Sequence, residues 1–364
     1  MSATSIGELE AQIDAAPDDD ALYAVYGDLL ARRNDPRGEL IALQLAAQAQ
    51  TGKAADKLRA LATKYLTTHA AALLGPLAPH ADALTWRSGF IRRIELASSP
   101  RVDVAAVVAQ VLPHPSGRFV VELALKLEGA DEADRVLAVL AEAAPRAVRQ
   151  LEVVARVGLG LAEMLEPRRD DERALELADV LARVPLLERL VVTARGIELG
   201  EVALPHAERV QLAAATLTAT CRRAVVRAAW PELERLELRF GTRGALPATF
   251  EDVRPLLARA DVPALTHLRL RNAPFAGAIV RTLVGAPLFA QLQVVDLSHG
   301  SMTPADAAFV VANAAAFAHL RELWLPMRHL RPADRTALAA LGKHVVGDQR
   351  AALDQTDKLL GLAP

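Results

Sequence analysis

The sequence predicts an α/β solenoid of strand–helix units behind a small all-helical domain, and three observations lead there. An apolar-x-x-apolar-x-apolar pattern recurs nine times at near-regular spacing. Amphipathic stretches of helical period fill the intervals between the repeats. The residues before them, 1 to about 89, read as helical throughout. The expected division is a helical domain over 1–89, about nine strand–helix units over 90–348, and a C-terminal cap or tail over 349–364.

Bulk composition permits this. With 364 residues, 52% of them hydrophobic, the chain can bury a large core without disulfide or metal staples. Aromatics are only 4%, which suits repeated layers of Ala, Leu and Val better than a core organised around a few rings. The formal charge of −2, from 42 basic and 44 acidic residues, argues against a non-specific nucleic-acid binder. A single cysteine, Cys221, excludes an internal disulfide and fits a reducing compartment. The first residues lack a basic patch followed by an apolar stretch, and no segment has the length of apolar chain a membrane span needs. The expectation is a soluble, cytoplasmic protein with no membrane partner.

The N-terminal elements follow from capping and breaking residues. Ser5 and Glu8 suggest a capping box ahead of Leu9 and Ile13, and Pro17 ends that helix. Asp18 to Asp20 can cap a second helix, which carries Leu22, Val25, Tyr26, Leu29 and Leu30. Asn34-Asp-Pro-Arg-Gly38 is a tight break, and helical spacing resumes over Glu39–Gln50 and Asp56–Leu74. Asp28, Arg37 and Glu39 are the charged residues around this break. They could form a small polar site, or Asp28 and Arg37 could hold two helices and the turn together. Trp86 and Phe90 read as an apolar plug for the first repeat, since the ends of a solenoid must be covered.

The nine patterns then follow in order. They are Ile91/Ile94/Leu96, Val120/Leu123/Leu125, Val148/Leu151/Val153, Leu187/Leu190/Val192, Ala207/Val210/Leu212, Leu233/Leu236/Leu238, Leu265/Leu268/Leu270, Leu292/Val295/Leu297 and Leu320/Leu323/Leu325. Five of the eight steps between them fall between 26 and 29 residues. The last four residues of each pattern alternate in and out as a short strand requires. Helices are expected over Asp131–Ala143, Glu172–Arg183, Leu217–Ala228, Phe250–Ala260, Phe275–Val284, Pro304–Phe317 and Pro332–Leu341. One strand and one helix cannot bury an apolar face alone, but stacked copies share a continuous core. Two steps break the rhythm. The 39-residue step carries an insertion over Gly158–Asp171 that includes a charged run, and the 20-residue step is too short for a full helix.

These strand–helix repeats of about 28 residues resemble the leucine-rich-repeat family, in its ribonuclease-inhibitor-like form, from about Phe90 to Asp348. The resemblance implies a right-handed solenoid with a concave parallel sheet and convex helices. The sequence departs from the family after the strands, where Gly241, Ala273, Gly300 and Arg328 stand in place of a turn-bridging asparagine. Further stretches are Asp18-Asp-Asp-Ala-Leu-Tyr-Ala-Val-Tyr-Gly-Asp-Leu-Leu30, Asn34-Asp-Pro-Arg-Gly-Glu-Leu-Ile-Ala-Leu-Gln44, Leu74-Gly-Pro-Leu77 and Trp86-Arg-Ser-Gly-Phe-Ile91. Together they resemble the bacterial repeat-companion domain. That likeness implies a soluble bacterial protein with repeats downstream, and no defined reaction.

No catalytic constellation emerges. The nine histidines are scattered without a His-x-x-x-His pair, and one cysteine cannot make a zinc-type ligand set. There is no Walker loop and no nucleophile elbow. Gly158-Leu-Gly160 lacks the third glycine of a dinucleotide fingerprint. Cys221 sits near a helix start that could lower its pKa, yet no histidine accompanies it in sequence. The chain is therefore expected to be no enzyme and to use no cofactor or metal.

Alternation in the strands leaves three rows of side chains facing outward. The first runs Arg93, Glu122, Gln150, Arg189, Arg209, Arg235, His267, Val294, Glu322. The second includes Glu237, Arg269, Asp296 and Trp324, and the third includes Arg239 and Arg271. The partner-binding residues expected from these rows are Arg189, Arg209, Arg235, Glu237, Arg239, His267, Arg269, Arg271, Asp296 and Trp324. They describe a basic surface that would receive an acidic protein surface or peptide, with Trp324 as an anchor. Glu188, Glu208 and Glu234 each precede one of the arginines, so a locally neutralised, solvated face explains the charges too. Two rival functions stand beside the protein-binding scaffold. One is a nucleic-acid-binding module, the other an enzyme whose site lies around Asp28, Arg37 and Glu39.

Overall fold

A computed structural model of the chain describes residues 6–156, 174–241 and 248–347. The insertion over 158–171, Gly158 and Gly160, Ser5 of the first capping box, and the tail over 349–364 lie outside the described residues. The described chain is α/β, with twelve strands in a mostly parallel open sheet and fourteen α-helices. The strands are β1 Leu84–Arg87, β2 Phe90–Ala97, β3 Glu122–Glu128, β4 Gln150–Arg156, β5 Leu175–Glu176 and β6 Arg189–Glu198. They continue as β7 Arg209–Leu217, β8 Arg235–Arg239, β9 His267–Arg271, β10 Val294–Asp296, β11 Glu322–Leu325 and β12 Val345–Gly347. Spatial order follows chain order, except that β5 leaves the path and pairs only with β6. The chain packs as two compact units, one of Met1–Lys126 with Arg135–Leu151, the other of Leu127–Asp134 with Glu152–Pro364.

The first unit begins with α1 Ile6–Ala15, α2 Asp20–Ala31, α3 Pro36–Gln48, α4 Gly52–Thr68 and α5 Ala70–Leu74. The side chain of Asp19 accepts from Ala21 N at 2.9 Å and caps α2. Asn34 takes a left-handed φ of 58° at the break, and Asp35 then caps α3 ahead of Pro36. Leu9, Ile13, Tyr23, Tyr26, Leu30 and Ile41 form one core with Phe90 and Phe119. Phe90 and Phe119 stack edge to face at 4.8 Å, and both tyrosines lie against them. Residues 84–87 correct the expectation of an all-helical segment up to 89. They form β1, antiparallel to β2, because Ser88 and Gly89 adopt positive φ and close a two-residue hairpin. Helix α6 Val104–Val111 lies between β2 and β3, which pair in parallel from Arg93↔Glu122 to Ala97↔Lys126.

Helix α7, Ala130–Ala143, spans parts of both units. In the second unit the helices between strands are α8 Ala178–Leu181, α9 Ala219–Arg227, α10 Phe250–Leu257, α11 Ala276–Leu283, α12 Pro304–Ala312, α13 Ala314–Phe317 and α14 Pro332–Ala339. Of the helix expected over Glu172–Arg183, the described part from residue 174 onward is helical only over the four residues of α8, since Leu175 and Glu176 extend as β5 along Ile197 and Glu198. The helix expected over Pro304–Phe317 is broken at Asn313, whose side chain donates to Phe309 O at 2.9 Å. No helix occupies the short step between β6 and β7, as its length predicted.

The apolar pattern becomes one spine. Leu190, Val210, Leu236, Leu268, Val295 and Leu323 are each 1% exposed or less, and they pair rung to rung: Leu190↔Val210↔Leu236↔Leu268↔Val295↔Leu323. Register is also set by main chain just before each strand. Glu188 O accepts from Glu208 N and Arg209 N, Glu208 O from Glu234 N and Arg235 N, and Glu234 O from Thr266 N and His267 N. Thr266 O and Gln293 O continue the series with the next two rungs. Each carbonyl has two lone pairs, so one acceptor can serve two donors.

After the strands, where the sequence lacks the expected asparagine, the turns use other devices. Asn272, one residue before Ala273, adopts φ 59° and its side-chain amide donates to Phe240 O on the previous rung. At Gly241 a Cβ would come within 1.7 Å of Ala215 O, and at Gly300 within 2.4 Å of Ala273 O. Only glycine admits so close an approach of the preceding turn.

Candidate binding surface

Each strand from β6 to β11 begins with the residue of the first outward row, and the rungs align as Arg189↔Arg209↔Arg235↔His267↔Val294↔Glu322. Position in the pattern explains this. The residue before the middle apolar position points away from the spine, because successive side chains on a strand alternate between faces. Arg189, Arg209 and Arg235 are exposed, His267 and Glu322 are half-buried, and Val294 is buried. Among the described residues, none of the three arginines is held in an ion pair.

A cavity of about 240 Å³ opens between these strand starts, lined by Arg189, Arg209 and Arg235, with Glu237, His267 and Arg269. The side chain of Glu237 is already shared: Arg269 Nη1 lies 3.7 Å from it and Arg271 Nη1 3.5 Å. His267 has a defined tautomer. Arg321 Nη2 can only donate, so at 3.4 Å from His267 Nε2 it makes that nitrogen the acceptor. Nδ1 then carries the proton and donates to Thr266 Oγ1 at 2.8 Å. Burial, followed by the positive charges of Arg235, Arg321 and Arg269, pushes the imidazole pKa down, against a smaller opposing pull from Glu322.

Three of the ten expected binding residues are buried by their neighbours. Arg239 is 1% exposed, Asp296 6% and Arg271 8%, although the register keeps all three in the outward rows. Arg271 Nε donates to Ser298 Oγ at 3.2 Å and lies 3.7 Å from Asp296 Oδ2, while Asp296 Oδ1 accepts from Ser298 N at 2.9 Å. Burial is tolerable there because guanidinium, carboxylates and hydroxyl satisfy one another. This network adjoins the cavity through Glu237, which Arg271 shares with Arg269. Trp324 pairs in register with Asp296 on β11 and is half-buried, donating its indole N–H to Glu322 Oε2 at 3.1 Å. It stands outside the cavity. Arg321, which precedes the alternating pattern, was missed, and only its place one residue before β11 could have signalled it.

The other sequence candidates resolve differently. Arg37 is not joined to Asp28; its Nε donates to Asp35 Oδ1 at 2.9 Å and its Nη1 to Pro115 O at 2.7 Å. Asp28 and Glu39 are exposed. Arg37 thus ties down the start of α3, a local task that its nearness to Asp35 in sequence explains. The Cys221 thiol is buried, which pushes its pKa up to about 12, with Glu198 acting in the same direction. The helix start therefore does not activate it: Thr218 Oγ1 accepts from its N–H, but desolvation outweighs the helix dipole. Among the described residues no group of His, Cys, Asp and Glu could hold a metal ion, and no helix is long and apolar enough to cross a membrane.

No protein-family model matches the sequence, and no curated protein does. Among solved structures, the chain is similar to a Bacteroides fragilis protein determined by a structural-genomics consortium. The TM-score is 0.53 at 16% identity, over 82% of this chain and 85% of that one. At that identity the likeness extends to the fold alone.

Proposed function

We propose that this chain is a non-catalytic protein-interaction scaffold that receives an acidic protein surface or peptide on its arginine-bearing sheet face. One observation carries the reading: Arg189, Arg209 and Arg235 stand exposed on three successive rungs without ion-pair partners among the described residues. Like charges so placed repel each other, and an acidic partner relieves that cost. The finer fold reading belongs with it. Strand order that follows chain order, helices in most intervals and a shared leucine spine support a right-handed leucine-rich-repeat solenoid behind a repeat-companion domain. In such a fold the arginines lie on the concave side. A bacterial cytoplasmic setting accords with the buried, unpaired thiol.

The test is affinity capture from bacterial cytosol with the native chain and with Arg209→Glu/Arg235→Glu/Arg269→Glu. The proteins held by the native chain should be lost from the triple variant. Unaltered capture removes the reading.

A further inference from the structure

We propose that the cavity at the starts of β6 to β9 is a receptor for a phosphate monoester, a phosphoserine or phosphothreonine on an extended peptide segment. This rests on the preceding reading of the face as a site for an acidic partner and specifies which acid. Arg189, Arg209 and Arg235 line one cavity of about 240 Å³, a size that suits a phosphorylated side chain. A carboxylate carries one charge and two oxygens, so it matches one arginine fork. A phosphate monoester carries about −1.5 to −2 charges and three oxygens, enough to engage three arginines together.

The surroundings favour this ligand. Glu237, the one acid lining the cavity, is committed to Arg269 and Arg271, so it leaves the exposed triplet unneutralised. The other compact unit shows what a neutralised strand face looks like: Arg93 pairs with Glu95 and Glu122, and Lys126 with Glu95. His267, held by Arg321 and Thr266, lines the cavity without adding an acid to it. The charged groups facing it are Arg235 on β8, Arg269 on β9, and Arg321 and Glu322 at β11, while β10 presents Val294. A nucleic-acid backbone fits less well, since exposed Glu208 and Glu234 flank the arginines and would meet its successive phosphates.

The experiment is a fluorescence-anisotropy titration of the full chain at physiological salt. The probes are four labelled molecules: a short Gly/Ala peptide with one central phosphoserine, the same peptide with serine, the same with glutamate, and a single-stranded DNA oligonucleotide of equal length. The phosphopeptide should bind about tenfold or more tighter than the glutamate peptide. Arg209→Gln/Arg235→Gln should remove that preference while an unfolding curve shows the variant folded. Equal binding of the phospho- and glutamate peptides overturns the phosphate assignment and leaves the acidic-partner reading standing. No binding by any acidic peptide overturns both. Tighter binding of the oligonucleotide overturns both in favour of nucleic acid. A preference that survives the double substitution places the phosphate elsewhere and also overturns the assignment.

Discussion

Replacing Arg209 with Gln should stabilise the folded protein at low salt, because Arg209 is the middle member of a row of like charges. Its rung neighbours are Arg189 and Arg235, and adjacent strands lie about 4.8 Å apart. Two unit charges about 6 Å apart in water repel by about 0.7 kcal/mol, so relief from two neighbours approaches about 1 kcal/mol at low ionic strength once side-chain freedom is allowed for. With a Debye length of about 8 Å at 0.15 M salt the gain falls to roughly half, and at 1 M little of it survives. Arg189→Gln, at the end of the row, should gain about half as much as the middle substitution. The assay is urea unfolding of the native chain and both variants, each at low and high salt. If Arg209→Gln is destabilising at low salt, or if its effect is indifferent to salt, the arginines are not an unneutralised row and the binding argument loses its physical basis.

Two further outcomes test the scaffold. Leu268→Ala, at a position with 0% exposure in the middle of the spine, should cost about 2–5 kcal/mol by urea unfolding; a cost within measurement error would mean that the spine is not a close-packed core. Asp306 joins two helices: it accepts from Thr303 N at 2.8 Å, Thr303 Oγ1 at 2.7 Å and Arg281 Nε at 2.7 Å. Burial alone would push its carboxyl up, but the Thr303 and Arg281 hydrogen bonds prevail and hold its pKa below the ordinary value. The folded pKa is therefore the lower one, so its contribution is complete above the unfolded carboxylate pKa of about 4 and fades as pH falls through the folded value. Asp306→Ala should cost about 1–2 kcal/mol at pH 7 and progressively less in acid; a cost independent of pH between 7 and 3 would exclude the carboxylate as its source.

Much of the fold was legible because burial of the spine is periodic along the chain. Leu236, Leu268, Val295 and Leu323 sit at fixed places in their patterns, and the structure sets them on adjacent rungs. Alternation likewise put Arg189, Arg209 and Arg235 in one row. What alternation cannot give is depth. Arg235 and Arg239 occupy equivalent outward positions of one strand, yet Arg235 is exposed while Arg239 is buried near the strand's exit. Coverage depends on the neighbouring rungs, Ala213 and Arg271 beside Arg239, which the pattern of a single strand does not carry. The β1–β2 hairpin was hidden because Trp86 and Phe90 read equally well as a plug, and β5 because two residues carry no period. Arg321 escaped notice because its role lies in reaching across β10 to β9, over a sequence distance of 54 residues.

The carbonyls of Glu188, Glu208, Glu234, Thr266 and Gln293, each receiving two amide protons from the following rung, have one more implication. Alignment between units is held by backbone atoms that every residue except proline supplies, so the side chains displayed beside them are spared that duty. Exchanging Arg209 or Arg235 for any non-proline residue that tolerates extended backbone leaves these backbone bonds intact. Mutation can therefore redraw what this face recognises one unit at a time, with the scaffold beneath it keeping its alignment.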